Sequence, residues 1–203
     1  MKNILLCVTG GIAAYKSVYL ARMFIKEGFN VRVIMTKNAE QFVTPLTFEA
    51  VTGSPVLTES NKPYAISHIE YAAWADICII APATASTIGK INSGIADNEL
   101  TSTILALTCK LIIAPAMNSN MYNNITVQHN LEALENKGVI VLKSPAGELA
   151  CKDYGTHGRM EEPEIIFQQI KKLLDNDLVD KCNINKPLSK IKILVTLGVL
   201  VSI

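Results

Sequence analysis

The sequence predicts an α/β fold built on a parallel sheet that is covered on both faces. Short, mostly apolar segments alternate along the chain with segments of helical periodicity, and the links between them are short. The apolar segments lack the polar–apolar alternation of a half-exposed sheet, which is typical of strands buried on both faces. Hydrophobic residues make up 49% of the chain and charged residues only 18%. Strand–helix–strand alternation of this kind gives parallel strands joined by right-handed crossovers.

Five segments are predicted to be strands, and two helices are marked clearly. The strands are Ile4–Val8, Val31–Met35, Ile77–Ile80, Leu111–Ala114 and Val139–Leu142. A helix is predicted between the first two strands, because apolar residues recur there at helical spacing before Gly28. Its stripe consists of Ile12, Tyr15, Tyr19 and Met23, with Leu20 and Phe24 one position round. A last helix is predicted over Glu161–Leu174, with Pro163 in its first turn.

The length of 203 residues suits one well-buried domain followed by a tail. We expect the domain to span residues 1–175, and a polar linker that contains Pro187 to span residues 176–190. Residues 191–203 begin a new apolar strand without partner strands to cover it. We therefore expect this last segment to be the start of a truncated or frameshifted second domain.

Charge and cysteine usage exclude several classes of protein. The net charge of +1 gives no indication of binding to nucleic acid or to an anionic membrane. No apolar run reaches the length of a membrane span, and the first apolar run turns at once into a Gly-rich loop rather than a signal-peptide cleavage site. The five cysteines are odd in number and never spaced Cys-x-x-Cys. We therefore expect no disulfide scaffold, no metal site and a cytoplasmic location.

The candidate binding residues follow the predicted strands, because ligands of open parallel sheets bind outside the carboxyl ends of the strands. Four turns matter there: "TGGIAAYK", "MTKNAEQF", "APATASTIGK" and "APAMNSNMY". In the first, Gly10 and Gly11 separate a strand from a helix start, where exposed amides and the helix dipole favour a phosphate. A tight turn that needs glycine for backbone freedom explains the pair equally well.

A second helix start offers hydroxyl groups, and the spacing of the motifs limits the nucleotide. Thr84, Ser86 and Thr87 are suited to phosphate oxygens, although simple N-capping of a helix is the alternative. The glycine spacing is not Gly-x-Gly-x-x-Gly, and Val33–Asn38 offers no carboxylate for an adenosine ribose. These features favour a mononucleotide over a dinucleotide.

The fourth turn carries an unusual amide. Asn118 lies between Met117 and Met121, just after an apolar strand that ends at Pro115. An asparagine in a turn with two core methionines is the ordinary explanation. The functional explanation is that Asn118 provides a neutral hydrogen-bonding group to a ligand, with two soft, polarizable methionines beside it.

Five separated motifs resemble those of one enzyme family. In chain order they are "TGGIAAYK", "SHIEYAAWAD", "APATASTIGKINSGIADN", "PAMNSNMY" and "GELACKDYGTHGRMEEP". Together they resemble the flavin-dependent cysteine decarboxylases, and within that family those that act on 4'-phosphopantothenoylcysteine in coenzyme A biosynthesis. The resemblance covers residues 1 to about 175. It implies a flavodoxin-like or Rossmann-like doubly wound sheet in three layers, FMN as cofactor, and a homotrimer or a multiple of trimers with flavin at the subunit interfaces.

The resemblance also implies residue roles. His68 would be the base when the cysteinyl thiol is oxidised, Cys151 the acid when the enethiol product is reduced, and Asn118 the group that holds the substrate carboxylate and the adjacent amide. The implied cofactor-binding residues are Gly10, Gly11, Ile12, Ala13, Thr36, Lys37, Asn38, Thr84, Ala85, Ser86, Thr87, Ala116 and Met117. The implied substrate-binding residues are Asn118, Met121, Leu149 and Ala150.

Two positions depart from the family pattern, and three alternatives remain open. Tyr122 stands where the family usually has Trp, and Lys152 where glycine commonly follows the cysteine. The alternatives are a peptidyl-cysteine decarboxylase, a flavin prenyltransferase of the same fold, and a non-catalytic regulatory flavoprotein. The Pro-x-Met-Asn pattern argues against the prenyltransferase, and the segment around Cys151 argues against the peptide enzyme.

Overall fold

The main element of the fold is a six-stranded sheet. The computed structural model describes residues 2–61, 66–143, 147–148, 154–155 and 157–184. The strands are β1 (Asn3–Val8), β2 (Asn30–Met35), β3 (Val56–Leu57), β4 (Ile77–Ala83), β5 (Lys110–Pro115) and β6 (Ile140–Val141). Every pairing among them is parallel, in the order β3-β2-β1-β4-β5-β6. The predicted parallel α/β fold and all five predicted strands are confirmed, and the two-residue β3 is an addition.

Helices connect the strands. They are α1 (Ala14–Lys26), α2 (Pro45–Thr52), α3 (Ser67–Trp74), α4 (Ala85–Asn92), α5 (Glu99–Leu105), α6 (Ser119–Tyr122), α7 (Ile125–Asn136) and α8 (Pro163–Ile184), with a 3-10 helix at Ala39–Gln41. A separate antiparallel pair joins β7 (Gly147–Glu148) to β8 (Tyr154–Gly155). None of the helices in the described part of the chain has the length and hydropathy needed to cross a membrane.

The last helix begins as predicted and continues further than predicted. Pro163 is its first residue, and its backbone remains helical to Ile184, beyond the expected end at Leu174. The chain divides into two compact units, Met1–Gln168 and Gln169–Ile203, with the division inside α8. The first unit contains both sheets. The proposed start of a second domain at residues 191–203 lies outside the described residues.

The strand order reverses between β1 and β4. From β1 the sheet extends to β2 and β3, and from β4 it extends in the opposite direction to β5 and β6. This is the doubly wound order of a Rossmann-like sheet, in which ligands bind at the reversal, beyond the carboxyl ends of the strands. The turns after β1 and β4 are therefore adjacent at the candidate site.

The core explains why these strands are so apolar. Every residue of Ile4–Val8 is fully buried, so both faces of β1 are covered, and β4 is buried along its whole length. The helix α1 packs through Leu20 and Phe24, together with small residues, Ala14, Ser17 and Ala21, that allow close approach to its neighbours.

The predicted stripe of α1 is only partly the buried face. Leu20 and Phe24 are buried, but Ile12, Tyr15 and Tyr19 are 58%, 49% and 63% exposed. The apolar spacing predicted the helix correctly, but these three residues of the stripe are exposed rather than packed in the core. The reason is that small side chains make a closer contact surface for the helix than the tyrosines would.

Three cysteines of the described residues are free. Cys7 and Cys78 lie on neighbouring strands with their Sγ atoms 3.8 Å apart. Burial, assisted by the contact with Cys7, raises the pKa of the Cys78 thiol well above its usual value. Burial also raises the pKa of Cys109 to about 11. Both thiols are therefore neutral and unreactive at ordinary pH.

Phe24 gives a direct test of the core. Its ring is fully buried and lies 5.5 Å from the Phe167 ring and 6.0 Å from the Phe29 ring, measured between centroids. Phe24→Ala should lower the free energy of unfolding by about 3–5 kcal/mol, because it removes buried contacts and leaves a cavity. Lys26→Ala, at an exposed position of the same helix, is the control and should change it by about 0.5 kcal/mol or less. Denaturant midpoints of the two variants measure the difference, and equal midpoints would contradict this packing.

Candidate functional site

A cavity of about 1110 Å³ lies beyond the carboxyl ends of β1, β4 and β5. It is large for a ligand site in a protein. All of the predicted cofactor-binding residues line it, namely Gly10, Gly11, Ile12, Ala13, Thr36, Lys37, Asn38, Thr84, Ala85, Ser86, Thr87, Ala116 and Met117. The predicted substrate-binding residues Asn118 and Met121 line it as well. The four turns singled out in the sequence therefore meet at one place.

The two glycines after β1 have different surroundings. A Cβ atom at Gly10 would collide with the Cβ of Asn38 and lie 2.9 Å from the Asn38 carbonyl carbon. Glycine is thus required there for close contact between the turns after β1 and β2. A Cβ at Gly11 would meet only the methyl group of Thr84, at 3.9 Å. Gly10 therefore has a packing role, and Gly11 leaves open space at the wall of the cavity.

Thr84 caps the helix that begins after β4. Its Oγ1 accepts a hydrogen bond from the Thr87 amide at 3.4 Å and lies 3.1 Å from the Thr87 hydroxyl oxygen. The N-capping explanation for Thr84 is confirmed. The side chains of Ser86 and Thr87 line the cavity beside it. The Thr87 amide is thereby engaged, and the amides of Ala85 and Ser86 remain as neutral donors at this end of α4, because the first amides of a helix lack partners within the helix.

Asn118 is the N-cap of the short helix α6. Its Oδ1 accepts a hydrogen bond from the Asn120 amide at 2.8 Å, which fixes the orientation of the side chain. Met117 is partly buried and Met121 is 49% exposed, and both line the cavity. The asparagine therefore caps a turn, as the ordinary explanation expects. Met117 packs against the core and also lines the cavity, whereas Met121 lines the cavity and is half exposed.

The segment at 157–160 is docked onto the turn that carries Asn118. The Met117 amide donates to the Gly158 carbonyl at 2.8 Å. Gly158 has a φ of +120°, and a Cβ there would lie 2.5 Å from the Met117 carbonyl oxygen. Glycine is required at this position by both the backbone angle and the close contact. The His157 ring packs against the Tyr122 ring with centroids 6.0 Å apart.

Of the remaining predicted site residues, His68 lies elsewhere in this chain. It is half-buried in the first turn of α3 and is not among the described residues that line the cavity. The helix α3 is held to β2 by Arg32, which pairs with Glu70 at 2.8 Å and stacks on the rings of Tyr71 and Trp74. Cys151, Leu149 and Ala150 lie outside the described residues.

The cavity also has a charged wall that the sequence analysis missed. Lys16 is only 9% exposed, and its Nζ lies 3.0 Å from both carboxylate oxygens of Glu162. Arg159 pairs with the same carboxylate, and Lys90 pairs with Asp97 at 2.7 Å. Burial alone would raise the pKa of Glu162, but the nearby Lys16 ammonium and Arg159 guanidinium outweigh it and hold that pKa below its usual value.

The lining residues that the sequence analysis missed share one signal. Most lie inside the motifs that had been singled out for other residues. They are Tyr15, Lys16, Glu59, Lys90, Asp97, Asn98, Gly158, Arg159 and Met160. Their position within these motifs indicated that they lie near the site. The spacing of residues did not show which side chains face the cavity and which do not.

The ion pairs of Glu162 predict a dependence of stability on pH. Because the folded-state pKa of Glu162 is lowered, its contribution is present above the unfolded-state pKa and is lost as pH falls through the folded-state value. Glu162→Gln should remove this contribution, which is about 1 kcal/mol or less since the carboxylate is partly exposed. The free energy of unfolding measured from pH 7 downward should therefore fall less steeply in this variant than in the unaltered protein. Glu132→Gln, at an exposed position of α7, is the control, and identical profiles for all three proteins would contradict the assignment.

Comparison with known sequences identifies relatives over most of the chain. A family model described as Flavoprotein matches residues 1–175. The coenzyme A biosynthesis bifunctional protein CoaBC of Bacillus subtilis (strain 168) is 48% identical over 174 residues, which are 84% of this chain and 43% of that protein. CoaBC of Escherichia coli (strain K12) is 45% identical over 166 residues, which are 80% of this chain and 40% of that protein. The chain thus spans less than half the length of these relatives.

Comparison with solved structures confirms the fold. A PPC decarboxylase mutant complexed with pantothenoylaminoethenethiol aligns with a TM-score of 0.76 at 34% identity, over 86% of this chain and 98% of that chain. The FMN-dependent cysteine decarboxylase SpaF aligns with a TM-score of 0.69 at 30% identity, over 80% of this chain and 90% of that chain. The resemblance carried by the five motifs is confirmed, and the chain belongs to the Flavoprotein family.

Proposed function

We propose that the chain catalyses the FMN-dependent oxidative decarboxylation of 4'-phosphopantothenoylcysteine and the reduction that follows, which gives 4'-phosphopantetheine in coenzyme A biosynthesis. The observation that carries this proposal is the meeting, in one cavity, of the turns suited to a flavin phosphate and the turn that carries Asn118 between two methionines. Relatives named for coenzyme A biosynthesis and a structural neighbour named as a PPC decarboxylase support the same chemistry.

The residues at the start of α4 fit the phosphate of FMN. Thr84, Ser86 and Thr87 present hydroxyl groups beside the first amides of the helix, and Gly11, which adds no side chain, leaves space next to Thr84. This donor set suits one phosphate group. When bound, FMN accepts a pair of electrons from the cysteinyl group of the substrate and later returns them.

Asn118 would hold the carboxylate that is lost. Its side chain is already oriented by the Asn120 amide, so little ordering is needed when the substrate binds. A neutral amide binds a carboxylate less strongly than a cation does, and it therefore stabilises the ground state less. Met117 and Met121 would exclude water from the reacting carbon, since their side chains form an apolar wall there.

Two residues would move protons. His68 takes the proton of the cysteinyl thiol as it is oxidised, and Cys151 supplies a proton when the enethiol is reduced. His68 does not line the cavity of its own chain, so it would act on the cavity of a neighbouring subunit. We therefore propose a homotrimer, or a multiple of trimers, in which the exposed residues Ile12, Tyr15 and Tyr19 are buried between subunits.

His68→Asn should retain the fold and the flavin and lose decarboxylation. The rate should fall by roughly 10²–10⁴-fold, because a positioned general base contributes about that much. Release of carbon dioxide from 4'-phosphopantothenoylcysteine by the FMN-loaded variant measures the loss, and the visible flavin spectrum is the control. A peptide that ends in cysteine, offered to the unaltered protein, distinguishes the peptidyl-cysteine alternative. A variant that decarboxylates at the native rate would show that His68 is not the base.

A mixing experiment tests whether His68 acts on a neighbour. His68→Asn and Asn118→Ala should each be inactive as pure proteins. Mixed trimers of the two contain some sites with an intact His68 from one chain and an intact Asn118 from the other. Activity should therefore return on co-expression if the two residues come from different chains, and no recovery would show that they come from the same chain.

Cys151→Ser should separate the two halves of the reaction. Oxidation and decarboxylation would depend on His68 and Asn118, whereas only the final reduction would need the thiol. Because the electron pair then remains on the flavin, the variant should release carbon dioxide once per flavin and leave an enethiol lighter than the normal product by one pair of hydrogen atoms, as detected by mass spectrometry. Normal product formed at the native rate would exclude this role for Cys151.

A further inference from the structure

The strand β4 leaves the hydrogen-bonding pattern of the sheet before it ends. Its pairing with β1 stops at Ile80, and its register with β5 shifts between Ile80 and Ala83. Ala81 and Ala83 are nevertheless fully buried. The backbone carbonyls in this stretch need partners other than the sheet, because an unpaired buried carbonyl is costly.

Two buried hydroxyl groups supply these partners. The Ser17 hydroxyl donates to the Ala81 carbonyl at 2.5 Å, and the Thr9 hydroxyl donates to the Pro82 carbonyl at 2.7 Å. Both side chains are almost completely buried, Ser17 at 0% and Thr9 at 1% exposure. The end of β4 is thus held by side chains from the first strand–helix unit.

Thr9 makes one more bond, and this bond distinguishes it from Ser17. The Thr9 Oγ1 accepts a hydrogen bond from the Thr84 amide at 3.1 Å. Thr84 is the N-cap of α4, and its own hydroxyl group contacts Thr87. Thr9 therefore connects β1 to the first turn of α4 without itself lining the cavity.

We propose that Thr9 is a positioning residue for the phosphate of FMN, an inference that rests on the proposed assignment of Thr84, Ser86 and Thr87 to that phosphate. A hydroxyl group is both a donor and an acceptor, and Thr9 uses both capacities, one toward the Pro82 carbonyl and one toward the Thr84 amide. These two bonds fix where the helix begins and so aim its hydroxyl groups and amides into the cavity. Serine at position 9 retains this chemistry, whereas valine has the same shape and lacks it.

The test compares affinities for FMN and for riboflavin, which differ by the phosphate, using flavin fluorescence on the full chain. Thr9→Val should weaken FMN binding about tenfold, as expected for losing about one hydrogen bond to a charged group, with little change for riboflavin. Thr9→Ser should bind both flavins as the unaltered protein does. Ser17→Ala is the matched control, because it removes a buried hydroxyl bond to the neighbouring carbonyl without touching Thr84. It should leave the ratio of the two affinities unchanged.

The results distinguish the role of Thr9 from the assignment of Thr84, Ser86 and Thr87 to the phosphate. If Thr9→Val and Ser17→Ala alter the ratio equally, or Thr9→Val leaves it unaltered, Thr9 has only a structural role. Thr87→Ala tests the assignment directly and should lower the preference for FMN. If the preference for FMN over riboflavin is lost in Thr87→Ala and kept in Thr9→Val, only the role of Thr9 is overturned. If the unaltered protein itself shows no such preference, both the role of Thr9 and the phosphate assignment are overturned.

Should Thr9→Val not fold, Thr9→Cys replaces it and should give an intermediate ratio of the two affinities, because a thiol is a weak donor and acceptor. A ratio equal to that of the unaltered protein would overturn the role.

Discussion

The reversal of strand order between β1 and β4 is the constraint on which the rest of the structure depends. Two adjacent parallel strands whose connections run in opposite directions leave a crevice beyond their carboxyl ends, since no crossover helix covers that point. The turns after both strands enter this crevice, and the turn after β5 closes its side. Residues widely separated in sequence thus line one cavity, although no single motif contains them all.

Close contact between backbones gives this cavity its shape. At Gly10 the first turn touches Asn38, and at Gly158 the late segment touches Met117, in both cases where a Cβ atom would collide. These contacts fix the turns against one another, through the Cβ and backbone of Asn38 at Gly10 and through backbone atoms alone at Gly158. The turn that carries Asn118 is also held by the Gly158 carbonyl, which accepts a hydrogen bond from the Met117 amide. Rigid walls of this kind reduce the ordering that a ligand must impose when it binds.

The sequence predicted well the strands and the turns that meet at the cavity, and it predicted contacts between distant segments poorly. Strands buried on both faces are continuous apolar segments, as at Ile77–Ile80, and are therefore easy to recognise in a sequence. The residues that follow such strands must lie at one edge of a parallel sheet. The exposed tyrosines of α1 could not be anticipated, because apolar spacing does not say which of two stripes packs more closely. The pairing of Lys16 with Glu162 joins residues 146 positions apart, and no local pattern records it. The position of His68 away from the cavity of its own chain was likewise not predicted, since sequence order does not record where a helix lies relative to a distant cavity.

The distribution of charge in the cavity suits the proposed binding of the substrate carboxylate by the neutral amide of Asn118 rather than by a cation. Lys16 and Arg159 are both engaged by Glu162, and Lys90 is engaged by Asp97. These paired cations present a reduced field to the cavity, because each positive charge has a carboxylate within contact distance. A free cation beside the substrate carboxylate would stabilise it most strongly before carbon dioxide leaves, when its charge is localised, and would so raise the barrier to its loss. Pairing these three cations and leaving the neutral Asn118 at the cavity wall limits that ground-state stabilisation, which favours the decarboxylation proposed above.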